Sequence, residues 1–377
     1  MVSRPSKRGA PFCFVVAAGL TAGCAAETAP ASEAAVDGTD MFTDVDLEQN
    51  PDISDATTIA LRSGEDVQIT AAGVYVLSGE AEDVTIRVEA DDAAEVQLVL
   101  DGVTITNVDA PGIYVVSADK VIVTTTDSDN ALEVTGSFVA DGETAIDAVI
   151  FSSDDLVMNG VGRLDIGSPA NGISSKDALK VTGGTWTIVA ALDGLEAHDS
   201  IRIGGGDVTI DSGKDAVHAE YDEDDTVGFV YVSGGTLRAI AVEDGIRGTP
   251  LVQIDGGTVE IDSAEGIEAT FVQINAGTVT VTASDDGINA AAKTVGNSVA
   301  IEVNGGTIAV TVGSGDTDAF DANGDIFVNG GTIDIVTPRS AFDADGVAEL
   351  NGGTVTVNGE VITEITQQGP GGGPGGP

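Results

Sequence analysis

A short phrase with an acidic first residue recurs through the second half of the chain. In each copy the acidic residue is followed by a small residue, an apolar residue, a variable residue and alanine. The copies begin at Asp193, Asp215, Glu265, Asp286 and Asp318, with variants at Asp244 and Ser340. Carboxylate oxygens are the ligands that hard divalent cations such as calcium prefer. Whether these residues form such a site depends on the fold that positions them.

A second phrase, Gly-Gly-Thr, alternates with the first and leads into segments of alternating apolar and polar residues. The third residues of its copies, two of them degenerate, lie 20 to 29 positions apart: Thr185, Asp207, Thr236, Thr258, Thr278, Thr307, Thr332 and Thr354. A repeat of about 22 residues with glycine turns is typical of a β-solenoid, in which each coil is buried by its neighbours. We predict an all-β parallel β-helix over residues 55–366, with coils of about 22 residues.

Stacked coils would align the acidic phrases into two columns, because equivalent positions of successive coils lie roughly 4.8 Å apart. The first residues of the phrase form one column: Asp193, Asp215, Asp244, Glu265, Asp286 and Asp318. The fourth residues form the neighbouring column: Asp147, Ser174, Glu196, His218, Arg247, Glu268, Asn289, Asp321 and Asp343. The repeat therefore predicts a continuous acidic surface along the solenoid.

Like charges at this spacing repel by about 1 kcal/mol per pair in water, and by several times more near a protein surface. A bound cation would relieve this repulsion, and calcium suits carboxylate, amide and carbonyl oxygens. We predict calcium ligands from both columns: Asp193, Glu196, Asp215, Asp244, Glu265, Glu268, Asp286, Asn289, Asp318 and Asp321. The alternative is a solvated acidic face that binds no metal and keeps the protein soluble.

The composition limits the partners of the protein. The 377 residues include 62 Asp and Glu against 15 Lys and Arg, a formal net charge of -47. Such a chain has no basic surface to neutralise phosphates, which excludes nucleic-acid binding, and an anionic membrane surface would repel it. Apolar residues make up 42% and aromatic residues only 4% of the chain, so a core can form but aromatic platforms for sugars are few.

The N-terminus has the features of a bacterial export signal. Basic residues precede a short apolar run over 11–20, and Cys24 follows small residues as in a lipobox. We expect residues 1–23 to be a lipoprotein signal peptide, Cys24 to be lipidated and residues 24–54 to be a flexible acidic linker. The protein would then be exported and anchored by lipid to the cell envelope, exposed at its surface. Ordinary secretion with an incidental cysteine is the alternative, and residues 367–377 are expected to be disordered.

Four stretches resemble a bacterial cell-surface family, the carbohydrate-binding domain-containing proteins. They are EVQLVLDGVTITN at 95–107, IFSSDDL at 150–156, GISSKDALK at 172–180 and the acidic insert DEDD at 222–225. The resemblance covers most of residues 70–355. It implies a right-handed parallel β-helix like that of family 9 polysaccharide lyases, bound calcium, and binding to cellulose or pectic polygalacturonate. The implied function is calcium-dependent polysaccharide binding by a surface lipoprotein, without catalysis.

Two other functions remain open at this point. A structural surface adhesin would use the solenoid as a stiff spacer and bind no sugar. A calcium-dependent, pectate-type polysaccharide lyase would need a basic residue beside the metal to remove a proton, and Lys214 and Arg247 are the candidates. Each is more simply explained as a cation that offsets nearby acid. We therefore predict no catalytic residue.

Overall fold

The computed structural model describes residues 35–221, 224–315 and 317–366. The predicted signal peptide, Cys24 and the Gly/Pro tail lie outside the described residues. Within the described ranges the chain forms 34 β-strands and one short 3-10 helix, Gly38–Asp40. No helix in this part of the chain is long and apolar enough to cross a membrane.

Twelve strands form one parallel sheet. We call it the acidic sheet, because its strands from β14 onward lie within the acidic phrases. Its strands, numbered in chain order among all strands, are β2 (Val67–Ile69), β4 (Ile86–Glu89), β6 (Ile113–Ser117), β9 (Ala148–Ser152), β12 (Asn171–Ser175), β14 (Leu195–Ala197), β16 (Val217–Ala219), β19 (Asp244–Gly248), β22 (Glu265–Ala269), β25 (Ile288–Ala290), β28 (Asp318–Ala322) and β31 (Ser340–Ala344). Each strand pairs with the equivalent strand of the neighbouring coil, as Ile173 does with Leu195 and Leu195 with Val217.

The other 22 strands form a second sheet that folds around two further sides of the molecule. They are β1 (Thr57–Ala60), β3 (Gly73–Glu82), β5 (Glu95–Asn107), β7 (Lys120–Thr125), β8 (Asp129–Val134), β10 (Asp155–Gly160), β11 (Arg163–Ser168), β13 (Ala178–Ala190), β15 (Ser200–Ser212), β17 (Phe229–Val232), β18 (Thr236–Ala241), β20 (Leu251–Ile254), β21 (Thr258–Ser263), β23 (Phe271–Ile274), β24 (Thr278–Ala283), β26 (Ala300–Val303), β27 (Thr307–Val312), β29 (Asp325–Val328), β30 (Thr332–Val336), β32 (Ala348–Leu350), β33 (Thr354–Val357) and β34 (Glu360–Ile362). All their pairings are parallel except β33 with β34.

Two series of strands run through this second sheet. One contains β17, β20, β23, β26, β29 and β32, and the other contains β18, β21, β24, β27, β30 and β33. The long strands β13 and β15 belong to both. Each coil thus contributes one strand to the acidic sheet, then one to the first series and one to the second series, before the next coil begins. The predicted all-β, parallel solenoid is confirmed.

Alternation of side chains builds the core, as the sequence predicts. Along β24 exposed threonines alternate with buried Val279, Val281 and Ala283. Trp186 is buried, and the rings of Phe320 and Phe342 stack with their centroids 5.2 Å apart. A single apolar cluster runs from the first coils to the last, so every coil depends on its neighbours for burial.

The segment before the first strand lies against the solenoid. Residues 36–49, here called the strap, cross the outer face of the first series. Asp46 is fully buried, with its carboxylate between the ammonium groups of Lys120 and Lys180. The prediction of a flexible linker over 24–54 is therefore wrong for residues 36–49, because specific hydrogen bonds and ion pairs fix them to the coils.

Candidate functional site

The fourth residues of the acidic phrases form one continuous column on the acidic sheet. Strand pairing brings the members of this column side by side in the order Ser174, Glu196, His218, Arg247, Glu268, Asn289, Asp321 and Asp343. The predicted place of Asp147 in this column is wrong, because Phe151 is the residue that pairs with Ser174. Phe151 lies 23 positions before Ser174, close to the usual length of a coil, whereas Asp147 lies 27 positions before it.

The first residues of the phrases are linked along the solenoid by hydrogen bonds. The backbone N–H of Asp215 donates to Oδ1 of Asp193 at 3.0 Å, and that of Asp244 donates to Oδ1 of Asp215 at 2.9 Å. In a later coil the N–H of Asp318 donates to Oδ1 of Asp286 at 2.8 Å. One oxygen of each of these carboxylates thus satisfies the backbone of the next coil. Its second oxygen carries the remaining acceptor capacity.

The first cluster contains Asp193, Asp215 and His218, whose ligand atoms lie within 4.8 Å of one another. All three are buried. Lys214 already contributes a positive charge, with its Nζ 3.3 Å from Oδ2 of Asp193 and 3.5 Å from Oδ2 of Asp215. Burial raises the pKa of Asp193, but its hydrogen bond and attraction to His218 outweigh burial, so the net shift is downward.

His218 is a candidate ligand that is absent from the predicted set. Its Nδ1 lies 3.3 Å from Oδ2 of Asp193, and its Nε2 lies 3.0 Å from Oε2 of Glu220. The signal that could have found it was its place in the fourth-residue column, next to the carboxylates of the first column. An imidazole among carboxylates could also serve as a metal ligand.

The second cluster contains Asp244, Glu265 and Glu268, again with ligand atoms within 4.8 Å of one another. Asn289 completes it: its Nδ2 donates to Oε2 of Glu265 at 3.0 Å. The Oδ1 of Asn289 is buried and accepts no hydrogen bond from the residues that the structure describes. A buried amide oxygen without a donor is costly, and a cation held by the adjacent carboxylates would satisfy it. These residues therefore fit a calcium ion.

Two cations of the protein approach the second cluster. Lys293 places its Nζ 2.7 Å from Oε1 of Glu268. Arg247 is more distant, at 3.7 Å from Glu268 and 3.9 Å from Asp244. Burial, followed by repulsion from Asp215, Glu268 and Glu265, still raises the pKa of Asp244 to about 8. The protein's own cations thus leave much of the negative charge uncompensated.

A third acidic group lines a cavity of about 280 Å³ near the C-terminal coils. Its side chains include the predicted ligands Asp286, Asp318 and Asp321, together with Asn323, Asp343 and Asp345. Burial raises the pKa of Asp286 to about 7, even though it accepts the N–H of Asp318. Burial and repulsion from Asp318 and Asp343 raise the pKa of Asp321 to about 6. Carboxylates that resist ionisation in this way gain most from a bound cation.

Glu196 is the predicted ligand that lies apart from these three groups. Its Oε2 accepts hydrogen bonds from Nδ2 of Asn171 at 2.7 Å and from Oγ of Ser174 at 2.8 Å. Its Oε1 lies 3.4 Å from Nζ of Lys176. The structure thus gives Glu196 protein donors on both oxygens, while it gathers the other nine predicted ligands into or beside the three acidic groups.

Comparison with known proteins identifies the family. A family model described as carbohydrate-binding domain-containing protein matches residues 63–319 and 265–361. The chain belongs to this family. A carbohydrate-binding domain-containing protein of Acetivibrio thermocellus is 42% identical over 216 residues, which cover 56% of this chain and 74% of that protein. The match confirms the family predicted from the stretches at 95–107, 150–156, 172–180 and 222–225.

One solved structure is also similar to the chain. It is the polysaccharide lyase-like protein from C. thermocellum, solved as a gadolinium derivative. The two share 30% sequence identity and superpose with a TM-score of 0.49, over 56% of this chain and 96% of that one.

Proposed function

We propose that this protein binds polysaccharide at the bacterial cell surface through calcium held on its acidic sheet, without catalysis. The family supports carbohydrate binding. The observation that supports the metal is the second cluster, where three carboxylates have ligand atoms within 4.8 Å of one another. Asn289, which donates to Glu265, has a buried Oδ1 that accepts no hydrogen bond from the described residues. Calcium takes carboxylate and amide oxygens together and tolerates irregular geometry, which suits this set of donors.

The same arrangement supports an acidic polymer as ligand. A chain with a net charge of -47 repels uronic acids unless a cation lies between the two. A calcium ion bound by Glu265 and Glu268 retains coordination positions for a sugar carboxylate or hydroxyl. Ions repeated along the stacked coils would meet successive units of a linear polymer. We propose pectic polygalacturonate or a similar uronic-acid polymer as the ligand, with cellulose as a further candidate.

We propose the remaining features on the sequence alone. The solenoid is a right-handed β-helix with coils of about 22 residues. The protein is exported, and a lipid on Cys24 anchors it to the cell envelope. A lyase activity is less well supported. Burial would lower the pKa of Lys214, but attraction to Asp193 and Asp215 raises it overall, and a general base must lose its proton near neutral pH.

Affinity electrophoresis tests this function. The purified chain is run through native gels that contain polygalacturonate, with calcium or with a chelator. We expect retardation only with calcium. The double substitution Glu265→Gln and Glu268→Gln should abolish most of the calcium-dependent retardation, because amides bind calcium more weakly than carboxylates.

Glu260→Gln is the matched control, since Glu260 is exposed on β21, outside the acidic sheet. It should leave the retardation unchanged. Equal mobility of the unmodified chain with calcium and with chelator would contradict the proposal. Equal loss in the control and the double variant would show that net charge matters rather than a site on the acidic sheet.

A further inference from the structure

We propose that the strap masks a second, metal-independent binding face, and that this face takes a carboxylate-bearing polysaccharide. The strap crosses the coils from β20 back to β7. Beneath it, strand pairing aligns Lys180, Arg202, Tyr231 and Gln253 in one column of hydrogen-bond donors. The inference rests on the proposed function for the class of ligand but not for the role of calcium.

The contact of Asp46 lies at the Lys180 end of this face. Lys120 places its Nζ 2.7 Å from Oδ1 of Asp46, and Lys180 places its Nζ 2.8 Å from Oδ2. The carboxylate is fully buried and receives one ammonium group on each oxygen. Burial would raise the pKa of Asp46, but the two lysines lower it to about 2, so the group is ionised. A uronic-acid carboxylate is the same chemical group and could take the same position.

Polar groups along the rest of the face contact the strap backbone. The side-chain amide of Gln253 accepts from the N–H of Val36 at 2.9 Å and donates to its carbonyl oxygen at 3.2 Å. Arg202 donates from Nη1 to the carbonyl oxygen of Met41 at 3.3 Å. These contacts use one backbone donor and two backbone acceptors of the strap, and none of the three involves a strap side chain. Sugar hydroxyl and ring oxygen atoms offer the same donors and acceptors.

Aromatic side chains, which are scarce in this sequence, gather under the strap. Phe229, Tyr231 and Phe271 belong to one apolar cluster, against which the strap residues Met41 and Phe42 pack. The rings of Phe42 and Tyr231 lie 6.5 Å apart. Departure of the strap would uncover aromatic rings beside basic groups. Flat rings beside charged donors are a suitable surface for acidic sugars.

The dimensions of the face suit a short run of an extended polymer. From Lys180 to Gln253 the column crosses three coil steps, which is about 14 Å at the strand spacing. The strap competes with any external ligand for this face, and its effective concentration is high because it belongs to the same chain. A single sugar acid would not displace it. A polymer with a carboxylate on every unit can displace it, because several of its groups bind the face at once.

The test uses the full chain with two of the strap's anchoring side chains removed, Phe42→Ala with Asp46→Ala. Affinity electrophoresis through polygalacturonate is carried out in chelator, and hydrogen exchange reports whether residues 36–49 leave the face. We expect the strap amides to lose protection and the affinity for polygalacturonate to rise at least tenfold. Adding Lys120→Ala and Lys180→Ala to this variant should return the affinity to the unmodified value.

Asp44→Ala is the matched control, because it removes an exposed strap carboxylate and changes the net charge as Asp46→Ala does. It should bind as the unmodified chain does. A strap that stays protected in the double variant, a released strap without gain in affinity, or a gain that survives loss of both lysines would each overturn the inference. Retardation of the unmodified chain with calcium is measured separately, so failure here is distinct from failure of the proposed calcium-dependent function.

Discussion

At the scale of single residues, the first-column aspartates connect stability with binding. Asp215 is fully buried and gives one oxygen to the N–H of Asp244, while its other oxygen lies in the first cluster beside Lys214 and His218. The residue type at this position is thus constrained by the backbone of the next coil as well as by any ligand. Metal binding alone therefore does not explain why acidic residues recur at this position of the repeat.

This double role predicts different effects for two substitutions at one position. Asp215→Asn keeps an acceptor for the N–H of Asp244, whereas Asp215→Ala leaves that buried N–H without a partner. We expect Asp215→Ala to be less stable than Asp215→Asn by about 1–3 kcal/mol. Urea unfolding in chelator measures the difference, and both variants lose the same charge. Equal stability would show that the hydrogen bond between the coils contributes little.

Asp46 gives a pH-dependent prediction at the same scale. Its pKa is about 2 in the folded protein, below the ordinary value of 3.8, so its ion pairs stabilise the fold above pH 4 and are lost as the pH falls toward 2. We expect Asp46→Asn to lower the free energy of unfolding by about 2 kcal/mol at pH 7. The difference from the unmodified protein should shrink between pH 4 and pH 2. Denaturant titrations across this range, with Asp44→Asn as control, measure it.

At the scale of elements, the second glycine of each Gly-Gly-Thr turn from Gly235 onward faces the turn of the preceding coil. Gly257 has a φ of 80°, and a Cβ there would lie 2.9 Å from the carbonyl oxygen of Gly234. Gly102 has a similar φ of 72°, but a Cβ there would meet nothing within 4 Å. A substitution at Gly102 would therefore test backbone strain alone, whereas one at Gly257 would test backbone strain together with contact between coils.

We expect Gly102→Ala to destabilise the protein by about 1 kcal/mol, the cost of a left-handed backbone with a side chain. Gly257→Ala should cost at least about twice as much, because the turns of two coils must also move apart. Thermal and urea unfolding compare the two variants. Similar losses would mean that the turns of the solenoid have room for a side chain.

The elements also show what could be predicted from sequence. Periodic phrases such as Gly-Gly-Thr predict strands and their order because each coil repeats the same local pattern. The strap could not be predicted, because Asp46 binds lysines 74 and 134 residues away. The strap is not part of the repeat, so the repeat pattern gives no information about this contact. The place of Asp147 is wrong for another reason: the sequence around it resembles the phrase, but it lies four residues before Phe151, the residue that pairs with β12.

At the scale of the whole molecule, the acidic groups act together on stability. Burial and mutual repulsion raise the pKa of Asp244 to about 8, of Asp286 to about 7 and of Asp321 to about 6, all above the ordinary value of 3.8. The folded protein therefore binds more protons than the unfolded chain between pH 4 and pH 8. Without metal, its stability falls as the pH rises through this range.

Calcium should reverse this trend, because it binds the ionised carboxylates that the metal-free protein tolerates poorly. We expect the melting temperature in chelator to be lower at pH 8 than at pH 5, and calcium to raise it more at pH 8. Asp286→Asn should raise the melting temperature in chelator at pH 8 by roughly 2–5 °C, whereas exposed Asp262→Asn should have little effect. Calorimetry at both pH values measures these shifts. A melting temperature in chelator that rises with pH would mean that the acidic sheet is relaxed without a cation, and the solvated-face interpretation would then replace the calcium site.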